Sequence, residues 1–345
     1  MDSKVVTFGE IMLRLSPSNF KRFIQTRSFD LIYGGGEANV AVSLANYGIP
    51  VDYITKLPNN EIGNACIQFL RQFGVNTNNI VRGGNRIGIY FLEMGSSVRP
   101  SKVIYDRAHS AISEANPEDF NWNKFLDGAS WFHWTGITPA ISQNLAEICL
   151  EAVRVAKKRK ITISCDLNYR SQLWKYGKTP NEVIPNLLKY SDIAIGNEED
   201  ADKVLGIKAP DTDVTSGKLN AENYKYVVEE IFKQYPNLKK VAITLRGSIS
   251  ASYNTWSAVL YDGTNMYIGP QYEINPIVDR VGGGDSFMGG LIYGLITYKD
   301  NLQNALNFAV AASCLKHTIL GDFNLVSIDE VLKLMGGDTS GRVSR

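Results

Sequence analysis

The stretch Val278-Asp279-Arg280-Val281-Gly282-Gly283-Gly284-Asp285-Ser286-Phe287, continued by Met288-Gly289-Gly290, decides how this chain is read. Three consecutive glycines running into an apolar segment make a turn whose backbone N–H groups converge on an anion at a helix N-terminus. Asp285 then falls in the first turn of that helix. A carboxylate there can take the proton of an alcohol while the amides stabilise phosphoryl oxygens, the two tasks of phosphoryl transfer. The same residues also suit a plain glycine-rich turn with a helix-capping Asp285, and both readings stand at this point.

Working outward, short apolar runs end at glycine or at polar residues: Val5 to Phe8, Val51 to Leu57, Trp131 to Thr135, Ile161 to Asp166, Ile193 to Gly196 and Val241 to Leu245. Helical spacing fills intervals between them, as in Ala38 to Ala45, Ala65 to Phe73, Leu145 to Ala156 and, near the end, Ala305 to Leu315. Strands alternating with helices predict βαβ crossovers, hence an α/β fold with a mostly parallel central sheet covered on both faces. Ligands of such sheets gather beyond the strand C-termini, where Asp166, Arg170, Asn197 and Arg246 fall. Residues 11–33 and 86–109 break the pattern. Their incomplete alternation, with a polar turn at Gly95-Ser96-Ser97, predicts a small β-rich lid. The expected division is an α/β core of residues 1–10, 34–85 and 110–335, the lid, and a mobile end at 336–345. The polar connection from Lys208 to Asn220 reads as a surface loop.

An apolar fraction of 44% allows a substantial core in a chain of 345 residues. With 36 Lys and Arg against 35 Asp and Glu there is no global basic field, so a nucleic-acid partner is not expected. Cys66, Cys149, Cys165 and Cys314 are widely spaced and read as buried thiols in a reducing compartment. No signal-like start and no apolar run of about 18 residues is present. A cytoplasmic protein with no membrane partner is the expectation.

From Val278 to Gly290 the chain resembles the C-terminal signature of the ribokinase-like (PfkB) sugar kinases, with Gly283 where the usual Gly-Ala-Gly-Asp has alanine. Removing that methyl group is expected to preserve the anion hole. The N-terminal signature is similar too, in Gly34-Gly35-Gly36-Glu37-Ala38-Asn39-Val40-Ala41, about 250 residues earlier and in the right order. Within this family, Tyr90, Tyr105-Asp106-Arg107, His133-Trp134-Thr135-Gly136-Ile137 and Asp166-Leu167-Asn168-Tyr169-Arg170 are similar to the kinases that act on 2-keto-3-deoxygluconate. The resemblance implies a ribokinase-like three-layer fold whose lid serves as a subunit interface, a homodimer or higher homo-oligomer, and ATP and Mg²⁺ as cofactors. It implies phosphorylation of the 6-hydroxyl of the acidic sugar. A fructokinase or other sugar kinase is the nearest alternative, and a sugar-binding or regulatory protein that has lost phosphotransfer is a second.

Carried onto this chain, the resemblance makes Asp285 the base and Gly282, Gly283 and Gly284 the anion hole. Gly34, Gly35, Asn39, Tyr90, Tyr105, Arg107, Arg170 and Asp322 are the substrate-facing candidates, the two arginines because a guanidinium holds a carboxylate in a bidentate fork. For Asp322 and the tyrosines a structural role competes. On the nucleotide side stand Asn197, Thr244, Arg246, Gly247, Gly282, Gly284 and Asn307. Arg246 departs from the family form and either reaches a phosphate or obstructs the usual approach; His317 either contacts nucleotide or caps the preceding helix. Glu199 and Asp200 are the Mg²⁺-associated candidates, with Asp200 equally suited to cap the following helix. Asp279 matches a position used for a monovalent cation in related kinases. Arg280 either replaces that cation or forms a surface pair with Asp279, so dependence on such an ion stays open.

Overall fold

Val5 and Val6 point to opposite sides of one strand and enter two different hydrophobic cores, as do Trp131 and Phe132, and Ala194 and Ile195. The two-residue period of a strand makes this partition, and a sheet buried on both faces demands it. The computed structural model describes residues 3–208, 221–339 and 341. The expected loop at 208–220 is described only at Lys208, and the expected mobile end lies partly outside the described residues.

The strands are β1 (Lys4–Phe8), β2 (Met12–Ser16), β3 (Asp30–Gly34), β4 (Val51–Ile54), β5 (Lys56–Leu57), β6 (Val81–Arg82), β7 (Gly88–Glu93) and β8 (Lys102–Asp106), then β9 (Ala129–Thr135), β10 (Thr162–Asp166), β11 (Ile193–Gly196), β12 (Lys240–Ser250), β13 (Tyr253–Tyr261), β14 (Met266–Ile268) and β15 (Tyr272–Ile274). The helices are α1 (Gly36–Asn46), α2 (Glu61–Arg71), α3 (Trp122–Phe125), α4 (Thr138–Ile141), α5 (Gln143–Lys158), α6 (Pro180–Leu188), α7 (Glu198–Leu205), α8 (Ala221–Gln234), α9 (Gly283–Thr297), α10 (Leu302–Lys316) and α11 (Ile328–Met335).

The central sheet runs β14-β13-β12-β11-β10-β9-β1-β4, with β15 also on β13. Every pair from β4 to β12 is parallel, and β13 to β15 extend the sheet antiparallel. Helices α1, α9, α10 and α11 contribute to one core, and α5 to α8 to the other. The fold is thus the expected ribokinase-like α/β architecture. Its lid is a separate four-stranded sheet in the order β3-β2-β7-β8. Strand β8 is exposed along its whole length, and Leu31, Val103 and Ile104 leave apolar surface on the lid. Among the described residues no helix is long and apolar enough to cross a membrane.

Chain order reverses across β1: β4 lies on one side and β9 on the other. A crevice forms at such a switch point, beyond the C-terminal ends of the strands. Glu37, fully buried near the start of α1, spans it by accepting from Thr135 N (3.1 Å), Thr135 Oγ1 (2.8 Å) and Thr138 Oγ1 (2.7 Å).

Candidate active site

A cleft of about 1060 Å³ opens between the strand ends of the core and the inner face of the lid. At its foot α9 begins. Gly282 caps that helix at φ 82, a left-handed conformation that favours glycine, and a Cβ there would lie 2.0 Å from the carbonyl oxygen of Asp322. The first amides of a helix have no partners within it, so this turn presents N–H groups and positive potential to the cleft. A Cβ on Gly284 would meet open space, which places that residue on the cleft side. Gly283 faces inward instead: a Cβ would come within 2.7 Å of the His317 ring. The glycine that stands in place of alanine therefore makes room for His317, a reason the sequence did not disclose.

Asp285, in the first turn of α9, accepts a hydrogen bond of 2.6 Å from Asn39 Nδ2, and Asn39 Oδ1 accepts from Gly35 N at 3.2 Å. The two signature segments thus meet through one contact. Desolvation pushes the Asp285 carboxyl up to about 6; the Asn39 hydrogen bond and the charge of Arg170 oppose that rise. Ionised near neutrality yet raised in basicity, this carboxylate suits a general base.

The lid closes the cleft through Met12, Tyr90, Val103 and Tyr105. Tyr90 is buried, and its hydroxyl donates to Asp322 Oδ2 at 2.6 Å. The other oxygen of Asp322 accepts from Arg14 Nη1 at 2.8 Å, while Arg14 Nη2 reaches Asp279 Oδ2 at 2.6 Å. All four residues are buried, so Asp322 is no turn residue of the surface. A Cβ on Gly34 would lie 2.1 Å from Asp322 Oδ2, which explains a glycine there. Of the two readings of Arg280, the surface pair with Asp279 does not form: Arg280 donates to the carbonyls of Ser250 and Ala251, at 3.2 and 3.0 Å. Asp279 is held by Arg14 from across the lid boundary, where the opposite charge is buried too.

The two arginines expected on the acid group part company. Arg170 lines the cleft, its Nη1 donating to Tyr169 O at 2.8 Å. Arg107 is not among the lining residues; it pairs with buried Glu10, and its guanidinium carbon stands 5.5 Å from the centre of the Tyr105 ring.

On the opposite wall Asn197 and Asp200 cap α7 reciprocally: Asp200 Oδ2 accepts from Asn197 N (2.8 Å) and Asn197 Oδ1 from Asp200 N (3.0 Å). Asp200 Oδ1 accepts from Tyr169 N at 2.7 Å, so this carboxylate secures the segment that carries Arg170. Burial raises the carboxyl of Asp166 well above its ordinary range, reinforced by Asp200 and Asp285. Such crowding of carboxylates favours a cation between them. Beside them the Oδ1 of Asn168 is buried without a partner. Among the described residues there is no cluster of three or more His, Cys, Asp or Glu side chains that could hold a metal ion.

Thr244, Arg246, Ser248, Trp256 and Arg280 extend the cleft along β12 and β13. Desolvation, followed by the neighbouring charge of Arg170, lowers the pKa of Arg246. Gly247 lies buried in β12, and Asn307 on α10 accepts from Gln303 Nε2 at 2.8 Å; neither lines the cleft. His317 follows α10 and its Nδ1 contacts Ser313 O at 2.7 Å, with its ring against Trp256. Sequence reasoning missed Arg14 and Lys316. Arg14 sits between two leucines in Met12-Leu13-Arg14-Leu15, so the two-residue period puts it on the face opposite theirs, which in the sequence reads as the polar side.

The chain is similar to known proteins over most of its length. The sequence model described as pfkB family carbohydrate kinase matches residues 2–323. A 2-dehydro-3-deoxygalactonokinase of Haloferax volcanii is 31% identical over 341 residues, 99% of each chain. A 2-dehydro-3-deoxygluconokinase of Bacillus subtilis is 27% identical over 312 residues, covering 88% of this chain and 87% of its own. The crystal structure of 2-dehydro-3-deoxygluconokinase from Thermotoga maritima superposes with a TM-score of 0.92 at 54% identity, over 97% of this chain and 100% of that one.

Proposed function

This chain belongs to the pfkB family of carbohydrate kinases, and we propose that it transfers the γ-phosphoryl group of ATP to the 6-hydroxyl of 2-keto-3-deoxy-D-gluconate. The products are 2-keto-3-deoxy-6-phosphogluconate and ADP. The observation that carries the reading is the Asn39–Asp285 contact at the N-terminus of α9, in one cleft with Arg170. The names of the Thermotoga and Bacillus relatives support a keto-deoxy acid.

Asp285 accepts the proton of the attacking hydroxyl while Asn39 fixes the carboxylate. As the sugar oxygen bonds to the γ-phosphorus, the bond to the bridging oxygen breaks and ADP leaves. The amides of the Gly282–Asp285 turn receive the charge that develops on the phosphoryl oxygens. Mg²⁺ bound with ATP supplies neutralisation of the β- and γ-phosphates. Asp166 and Glu199 are the carboxylates that would meet its water shell; Asp200, with both oxygens on backbone N–H groups, keeps a structural task. Arg246 supports the nucleotide phosphates. Arg170 receives the carboxylate of the sugar, and Tyr105 packs beside it from the lid.

The test is the Arg170→Ala variant with the keto acid and with fructose. A lost charged hydrogen bond of about 1.5–3 kcal/mol raises KM for the acid roughly 10- to 100-fold. Equal effects on both substrates, or none on the acid, would contradict the assignment.

A further inference from the structure

Among the described residues one ammonium group is fully buried, between the loop that precedes the glycine run and the turn that follows α10. It belongs to Lys316. Its Nζ donates to the carbonyl of Asp279 at 3.1 Å and to that of Ile319 at 3.2 Å. A lysine at a helix C-terminus ordinarily meets the last carbonyls of its own helix or water. Lys316 instead reaches a carbonyl 37 residues earlier, and a buried lysine persists only where partners offset its desolvation. Desolvation lowers the pKa of Lys316; the carboxylates of Asp279, Asp322 and Asp285 oppose that fall, and the charge of Arg14 adds to it.

This ammonium sits on the seam that places the anion hole. Val278 N and Asp279 N donate to His317 O at 2.8 and 3.2 Å, and Gly321 N donates to Asp279 Oδ2 at 3.1 Å. Ser313 Oγ donates to Gly283 O at 2.7 Å. The position of the first amides of α9 therefore depends on how the 278–284 loop docks against residues 313–322.

We propose that Lys316 is a positioning residue for phosphoryl transfer, its ammonium acting as a tethered monovalent cation on the carbonyls of Asp279 and Ile319, so that turnover needs no added potassium, sodium or ammonium ion. A compact ammonium and a small monovalent ion present the same point charge to carbonyl oxygens. Arg280, with its guanidinium on Ser250 and Ala251, does not take this place. The inference rests on the phosphotransfer reading above.

The experiment measures ADP formation by the wild-type protein with tetramethylammonium as the monovalent cation, then with KCl, NaCl or NH₄Cl at matched ionic strength. Equal rates throughout are expected. Stimulation of several-fold by potassium or ammonium overturns the proposal, whereas no turnover in any of these salts refutes the kinase reading itself. Lys316→Met, checked for folding by its melting transition, is expected to keep KM for the acid. Its kcat falls about 10²-fold, as on loss of one element of an anion hole, and NH₄Cl or KCl restores much of the loss. A folded variant with no loss, or with a loss that no small cation repairs, also overturns the proposal. Should the variant not fold, the wild-type cation comparison decides.

Discussion

Asp285 shows how much one residue's setting decides. Its carboxyl is raised to about 6 by desolvation, so on the proposed role the free enzyme would lose its base as the pH falls through that value. We expect kcat/KM to be level above it and to drop about tenfold per pH unit below it. Asp285→Asn keeps the shape and the Asn39 neighbour but accepts no proton; kcat falls by about 10²–10⁴ and the acid limb disappears from any residual rate. A pH–rate profile of both proteins checks this, and near-wild-type turnover of the variant would exclude Asp285 as the base. Asp285 and Asn39 were legible because two glycine-flanked signatures point at them. Arg14 and Lys316 were not, because their partners Asp279, Asp322 and the Ile319 carbonyl come from segments far away in sequence. Nothing local marks a cation that folding will bury.

At the level of elements, strands and helices were readable from period and punctuation. Helix α1 starts at the expected glycine turn, and α10 extends the expected Ala305 to Leu315 segment by three residues before it and one after. A small β-rich lid was visible as well, since one exposed face leaves alternation in the sequence; its strand order β3-β2-β7-β8 was not. What lay beyond reach was packing between elements. Gly283 looked like a harmless loss of a methyl group, yet α9 meets His317 at that point. Gly283→Ala is therefore expected to cost about 1–3 kcal/mol through overpacking. Pairing it with His317→Asn should recover most of that loss, read as the urea midpoint of both variants. A neutral single substitution would show that the His317 ring has room to move.

For the whole molecule, the apolar residues Leu31 and Ile104, exposed on the lid face opposite the cleft, bear on assembly. Patches of this kind mark interaction sites more often than chance exposure does. We expect a homodimer formed through the lids, so that sedimentation gives twice the chain mass of 38.3 kDa and Ile104→Asp gives the single mass. A wild-type monomer at all concentrations would contradict this interface. The molecule's chemistry follows from its geometry on the same scale. Six parallel strands aim their C-terminal ends at a crevice, one helix begins there with glycine amides, and a lid carries tyrosines over it. The most direct test of the central claim is ADP formation with Mg²⁺ and ATP, comparing 2-keto-3-deoxygluconate, its galactonate epimer, fructose, ribose and adenosine, with the phosphorylated product identified by mass. Preferred conversion of the keto acid to its 6-phosphate is the expected result; turnover of a neutral acceptor without conversion of either acid would contradict the account.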